Sequence, residues 1–172
     1  MSTVRYCMSF VIVVLVALPA WGWAAQLGLM PLPRSVEMGQ GSLPLDDHFH
    51  VGFSGSHDSR LDAALDRFIT QLDRQCGDIR RPQFTQTGNP DMLSLQVAGP
   101  GAAVQGVEED ESYQLKITPA RANLTAATDV GAMRGMQTLL QLVTMENGVC
   151  SFPAVTIDDA PRFPWRGFMF DV

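Results

Sequence analysis

Residues 112–143, SYQLKITPARANLTAATDVGAMRGMQTLLQLV, contain the change of period that decides the fold. Tyr113, Leu115 and Ile117 alternate with Gln114 and Lys116, as a strand with one buried face requires. Pro119-Ala120-Arg121 turns the chain into Ala122-Asn123-Leu124-Thr125-Ala126-Ala127, which alternates again and is a natural hairpin partner. The period then lengthens. Val130, Met133, Gln137, Leu140 and Thr144 fall on one helical row, and Met136, Leu139 and Val143 widen its apolar side. Asp129 is the expected cap of this helix and Asn147-Gly148 its expected end. Gly131 and Gly135, one turn apart, each cost about 1 kcal/mol relative to Ala in a helix interior. The compensation to expect is close approach of helix to sheet, where a larger side chain would not fit.

Toward the N-terminus, Leu61, Leu65, Phe68, Ile69 and Leu72 form the stripe of an earlier amphipathic helix. Ser56, Asp58 or Ser59 is placed to cap it, and Gly77 follows its last turn. Leu93-Ser94-Leu95-Gln96-Val97 and His48-Phe49-His50-Val51-Gly52-Phe53 alternate as half-buried strands. Ser35-Val36-Glu37-Met38 and Ser42-Leu43-Pro44-Leu45 read as two small strands around a Gly39-Gln40-Gly41 turn. Ala154-Val155-Thr156-Ile157 is a last short strand, and Asp158-Asp159-Ala160-Pro161 a hinge beyond it. The order predicts an α+β fold: one mixed or mostly antiparallel sheet with two helices on one face.

Both ends of the chain read differently from this middle. Arg5, an apolar block over 10–18 and the small residues up to Ala25 have the layout of a secretory signal over residues 1–25. The cut is expected after Gly22 or Ala24. The block is short for a bilayer span of ~20 residues, and an uncleaved anchor is the alternative. At the other end Phe168-Met169-Phe170-Asp171-Val172 is nearly continuous in apolar residues, as a strand buried on both faces of a parallel sheet is. Its neighbours would need crossovers of a dozen or more residues each. We therefore expect a domain over 26–157, then a linker and the first strand of a truncated second domain over 158–172.

The net charge of −6 over the whole chain and the scattered basic residues disfavour nucleic acid as a partner. Of the three cysteines, Cys7 lies in the expected signal. If the two helices run parallel, their C-terminal ends adjoin, and Cys76 and Cys150 each sit just past such an end. They are the disulfide candidate, with two buried thiols as the alternative.

Residues with chemical potential have bland readings beside them. His48 and His50 with Asp46 and Asp47 suggest a metal, but they also fit the wet face of a strand whose other face holds Phe49, Val51 and Phe53. His57 is most simply a residue at the helix entrance. Glu108-Glu109-Asp110-Glu111 lacks the spacing of a calcium loop and reads as a solvated turn. Asp158-Asp159 is an acid/base pair or, more simply, a cap of the turn before Pro161. Asn123-Leu124-Thr125 is an N-glycosylation acceptor in a host that glycosylates. Met133, Met136 and Met145 read as core. We find no catalytic constellation, no metal site and no cofactor motif.

Several segments resemble glycoside hydrolase family 20, whose members are chiefly β-N-acetylhexosaminidases. They are Leu32-Pro33-Arg34-Ser35-Val36-Glu37, Glu111-Ser112-Tyr113-Gln114-Leu115, Gly131-Ala132-Met133-Arg134-Gly135-Met136-Gln137-Thr138-Leu139 and Ile157-Asp158-Asp159-Ala160-Pro161-Arg162-Phe163-Pro164-Trp165-Arg166-Gly167. The resemblance implies a non-catalytic N-terminal domain, with two parallel helices packed against a catalytic (β/α)₈ barrel whose first strand is the 168–172 run. It also implies removal of terminal N-acetylhexosamine with retention. The substrate's acetamido oxygen would be the nucleophile, a Glu the general acid/base and a neighbouring Asp the orienting group. Those residues belong further along the barrel, so no catalytic or substrate-binding position carries over. Asp171 matches a strand-one Asp and is expected to be structural support.

The expected product is an exported protein, periplasmic or extracellular, or lysosomal in a eukaryote. This portion would serve folding and docking, with N-acetylhexosamine-containing glycans as partners of the missing barrel. It would leave an apolar patch rimmed by Phe163, Trp165 and Phe168. A free-standing carbohydrate-binding or interaction module is the alternative, disfavoured by the lack of an aromatic platform.

Overall fold

A computed structural model describes residues 27–46, 49–56, 58–77, 84–85, 92–163, 165 and 167. The expected signal with Cys7, the pair Asp47 and His48, His57, and the 168–172 run with Asp171 lie outside the described residues. The elements run β1 (Ser35–Pro44), β2 (Val51–Gly55), α1 (Ser59–Cys76), β3 (Phe84–Thr85), β4 (Leu93–Val97), β5 (Tyr113–Ile117), β6 (Ala122–Ala126), α2 (Asp129–Gln141), β7 (Thr144–Glu146) and β8 (Val149–Asp159). They build one mixed sheet in the order β1-β8-β5-β6-β4-β2-β3, with β7 hydrogen-bonded to β8. Strands β3, β2, β4 and β6 pair in parallel, and β5 joins β6 and β8 antiparallel. Strands β2, β4, β6 and β8 therefore share one direction. Both helices return against that direction on the same face, which makes them parallel to each other.

In β4, β5 and β6 the alternation read from the sequence is the alternation observed; β2 runs Val51–Gly55 rather than from His48 to Phe53, and Phe53 is only partly buried. Leu93, Leu95, Val97, Tyr113, Leu115, Ile117, Leu124 and Ala126 are buried under the helices, and Gln96, Gln114, Lys116 and Thr125 are exposed on the opposite face. Helix α1 buries all five residues of its stripe. Asp58 caps it, its Oδ1 accepting the Arg60 and Leu61 amides at 3.0 Å, and Gly77 closes it in the left-handed region. The Leu61 amide, with the Arg60 contacts behind it, holds the Asp58 carboxyl below its ordinary value.

Helix α2 lies against β5 and β6 through its two glycines. A Cβ on Gly131 would land on the Ser112 carbonyl oxygen and 3.2 Å from the Ala126 Cβ. On Gly135 it would meet the Leu124 methyls and the Tyr113 ring. The obstruction at Gly131 is backbone, which has nowhere to go; at Gly135 it is side-chain ends.

Several expectations are corrected. The cap of α2 is Thr128, whose hydroxyl accepts the Gly131 amide, while Asp129 is inside the first turn and buried. The helix stops at Gln141, and Thr144 belongs to β7. Asn147-Gly148 is instead a hairpin turn between β7 and β8, with both residues at positive φ (51° and 80°). That dipeptide suits a tight hairpin as well as a helix end, and the strand on each side settles which. The last strand is correspondingly longer than the Ala154–Ile157 reading. The two small N-terminal strands are one strand, β1, whose pairing with β8 shifts register between Met38 and Ser42. Met136 is core and Met133 partly so, but Met145 is half exposed.

Cys76, the last residue of α1, and Cys150 in β8 are joined, with Cα atoms 5.4 Å apart. Cys150 thus sits in a strand, not past a helix end. For a sequence separation of 74 residues, loop entropy assigns such a link ~4 kcal/mol.

Substituting Gly131 by Ala is expected to destabilise the domain by about 1–3 kcal/mol through overpacking, reversing the gain of about 1 kcal/mol that the change brings in an open helix. Denaturant midpoints of G131A and of G148A, which has no nearby atoms but a positive φ, separate steric conflict from backbone strain.

Candidate functional site

Two grooves adjoin along the outward side of α2, sharing Gln137 and Gln141. The larger, about 780 Å³, runs between the C-terminal halves of the helices and presents Gln71, Arg74 and Gln75 of α1 with Met145 of β7. The second, about 520 Å³, is built where the chain enters and leaves the sheet. Its walls are the entering strap, Met30-Pro31-Leu32, and the departing segment, Asp159 to Phe163, and its floor is Tyr113 and Thr138. The rim is apolar and open: Met30 is 82% exposed, Leu32 64%, Phe163 72%, and Trp165 beyond it 73%.

Side-chain hydrogen bonds hold both walls. Gln141 Oε1 accepts the Met30 amide at 2.8 Å, and Asp159 Oδ1 accepts the Arg34 amide at 3.1 Å. From below, the Tyr113 hydroxyl donates to Asp159 Oδ2 at 3.2 Å. The Thr138 hydroxyl lies 2.6 Å from the phenol oxygen and, with the phenol O–H donating to the carboxylate, is the donor of that pair. Burial pushes the Tyr113 hydroxyl well above its ordinary pKa, against the opposing Thr138 contact and together with the Asp159 charge, so the phenol stays a donor. Beside it Arg134 Nε pairs with Glu111 at 2.7 Å. Asp158 takes Gln114 at 3.0 Å and lies 3.8 Å from Arg34.

At the N-terminal ends of the helices a second polar cluster fixes the 98–111 loop. Arg60 donates to Asp58 at 3.1 Å, to the Ala102 carbonyl at 3.1 Å and to buried Asp129 at 2.7 Å. Asp129 also accepts the Gly101 amide at 2.8 Å, and Glu109 accepts the Ala102 amide at 3.1 and 3.2 Å. Each carboxylate has a partner, and the cluster is structural.

The sequence-read candidates fall as follows. Asp158 and Asp159 belong to β8 rather than to a hinge, and neither caps the turn before Pro161; they bond Gln114, Tyr113 and the Arg34 amide. Glu108 to Glu111 form the end of the fixed loop. Among the described residues no His, Cys, Asp and Glu group is arranged to hold a metal. Asn123, the second residue of β6, is half-buried between Ser94 and Lys116. Phe163 and Trp165 are exposed as an apolar patch requires. Two groups were not legible: the Tyr113 hydroxyl, hidden because its ring fits the apolar side of its strand, and the Arg60–Asp129 pair. For the second, the available signal was an aspartate directly after a threonine able to cap the helix.

The model of glycosyl hydrolase family 20, domain 2, matches residues 26–160, and the chain belongs to that family through this domain. It is similar to the β-hexosaminidase subunit A1 of Dictyostelium discoideum, 32% identical over 149 residues, 84% of this chain and 27% of that protein. The β-hexosaminidase subunit beta of Mus musculus is 30% identical over 160 residues, 85% of this chain and 29% of that protein. Among solved structures, the chitobiase of Flavobacterium johnsoniae superposes with a TM-score of 0.76 at 37% identity, over 85% of this chain and 22% of that one. The chain thus spans less than a third of the length of these curated relatives.

Replacing Asp129 by Ala removes one of the three acceptors of the Arg60 guanidinium and leaves the Gly101 amide without its acceptor. A donor left unpaired costs about 1–3 kcal/mol, and chemical denaturation of D129A is expected to show a loss in that range. The double variant R60A/D129A, which also loses the contacts to Asp58 and Ala102, is expected to be at least as destabilised as the single.

Proposed function

We propose that this chain is the non-catalytic N-terminal part of an exported β-N-acetylhexosaminidase that removes terminal non-reducing N-acetylhexosamine residues. The family 20 domain 2 match over 26–160 carries the reading. The relatives' names, β-hexosaminidases several times the length of this match, support it. In this reading residues 1–25 are a cleaved signal, and the 168–172 run is the first strand of a (β/α)₈ barrel that supplies the chemistry. That chemistry is retaining and substrate-assisted: the acetamido oxygen attacks, a Glu acts as general acid/base and an Asp orients the acetamido group. The residues of this chain contribute folding and docking, through the outward side of the helices and the exposed Phe163 and Trp165. A disulfide at Cys76 and Cys150 suits an oxidising compartment. No cofactor is needed, and the partners are N-acetylhexosamine-containing glycans rather than nucleic acid.

The competing reading, a free-standing sugar-binding module, lacks an observation in its favour. The open face of the sheet presents Gln96, Gln114, Lys116, Thr125 and Thr156, and no aromatic side chain among the described residues.

The test is hydrolysis of an aryl N-acetylglucosaminide by this chain and by the polypeptide continued along its reading frame. The expected outcome is turnover by the second alone. Strong turnover by this chain overturns the division of labour, and binding of chitin oligomers by it without any active longer form favours the module.

A further inference from the structure

We propose that Tyr113 and Asp159 form a rigid joint that sets the direction in which the polypeptide leaves the sheet. Asp159 would then be the positioning residue for whatever is joined beyond Trp165. The orientation part rests on the proposed function; the joint itself does not.

Asp159 is the last residue of β8, followed by Ala160 and Pro161. A chain leaving a strand there normally keeps its torsional freedom, because ladder hydrogen bonds end with the strand. Here the terminal carboxylate is bonded in two directions at once. Oδ1 takes the Arg34 amide just before β1, and Oδ2 takes the Tyr113 hydroxyl from the neighbouring strand β5. The phenol is immobile in turn: Tyr113 is buried, its ring packs beneath Gly135 of α2, and its oxygen meets Thr138 one turn further on. The exit residue is thus tied to the core helix, the central sheet and the entering strand. A Cβ at position 135 would meet Leu124 first and press on that ring at 3.1 Å, so the glycine that seats α2 also leaves the ring its place. Proline at 161 fixes its own φ and narrows the backbone of Ala160 before it. The groove above the joint owes its shape to the same contacts, since they set the separation of the strap from the departing segment.

Three variants distinguish this from a general stabilising role. Tyr113→Phe keeps the ring and deletes the donor, and Asp159→Ala deletes the acceptor. Asp159→Asn rebuilds the joint with reversed donors: its carbonyl accepts the Arg34 amide, its amide donates to the phenol oxygen, and the phenol donates to Thr138. In hydrogen exchange on this chain, D159A is expected to raise exchange at the Arg34 amide, whose acceptor it deletes, at least tenfold, and in ¹⁵N relaxation Y113F and D159A are expected to lower the order parameters of the Ala160, Arg162 and Phe163 amides. The amides of α1, β4 and β6 stay unchanged in both measurements, and D159N stays at the wild-type values. Unchanged order parameters at the exit in D159A overturn the joint, as does a uniform change across the chain; should Y113F fail to fold, D159A and D159N alone decide. In the continued polypeptide, spin labels on α1 and beyond Trp165 are expected to give a narrow distance distribution that broadens in D159A and not in D159N. A distribution equally narrow in D159A overturns the positioning role. An inactive continued polypeptide strikes at the hexosaminidase reading alone, and the exchange result stands apart from it.

Discussion

The close seat of α2 on β5 and β6 is the contact on which the rest depends. It places a helix backbone against the Ser112 carbonyl and the Ala126 methyl, a distance that no residue but glycine permits at position 131. Once α2 lies there, Met136 and Leu139 close over the sheet and α1 packs alongside. The helical cost of the two glycines is small, about 1 kcal/mol each. The apolar burial they allow returns about 1.5–3 kcal/mol for each large side chain covered. Propensity therefore loses to packing at these positions.

Both ends of the helix pair are then secured by different chemistry. At the N-terminal ends the Arg60 guanidinium bridges Asp58, Asp129 and the loop carbonyl of Ala102, so a charge network does what an apolar contact cannot do beside a solvated loop. At the C-terminal end of α1 a covalent link to β8 serves. Between these fixed ends lie the outward grooves, built from glutamines, Arg74 and an apolar rim.

Much of this was legible in the sequence because period and pattern are local. Tyr113, Leu115 and Ile117 declare a strand, and the Leu61-to-Leu72 stripe a helix, whatever surrounds them. The misreadings arose where local signals have two solutions. Asn147-Gly148 serves a helix end and a hairpin equally. Gly39-Gln40-Gly41 suggests a turn but sits in a continuous strand that absorbs a register shift, because β8 continues past it on the other side. Asp129 follows a threonine able to cap, and only the distant Arg60 shows why the aspartate is inside. The exit contacts of Asp159 join residues 46 and 125 positions apart, and no pattern in a window of the chain reports such a meeting.

The most direct test of the seat of α2 is a set of nuclear Overhauser contacts in the isotopically labelled chain. The fold described here gives cross-peaks from the Gly131 α-protons to the Ala126 methyl, and from the Gly135 α-protons to the Leu124 methyls, with cross-strand contacts between Met145 and Cys150. A helix continuing unbroken through Leu142 to Asn147, with sequential amide contacts in place of the cross-strand ones and no peaks from Gly131 to Ala126, would contradict it.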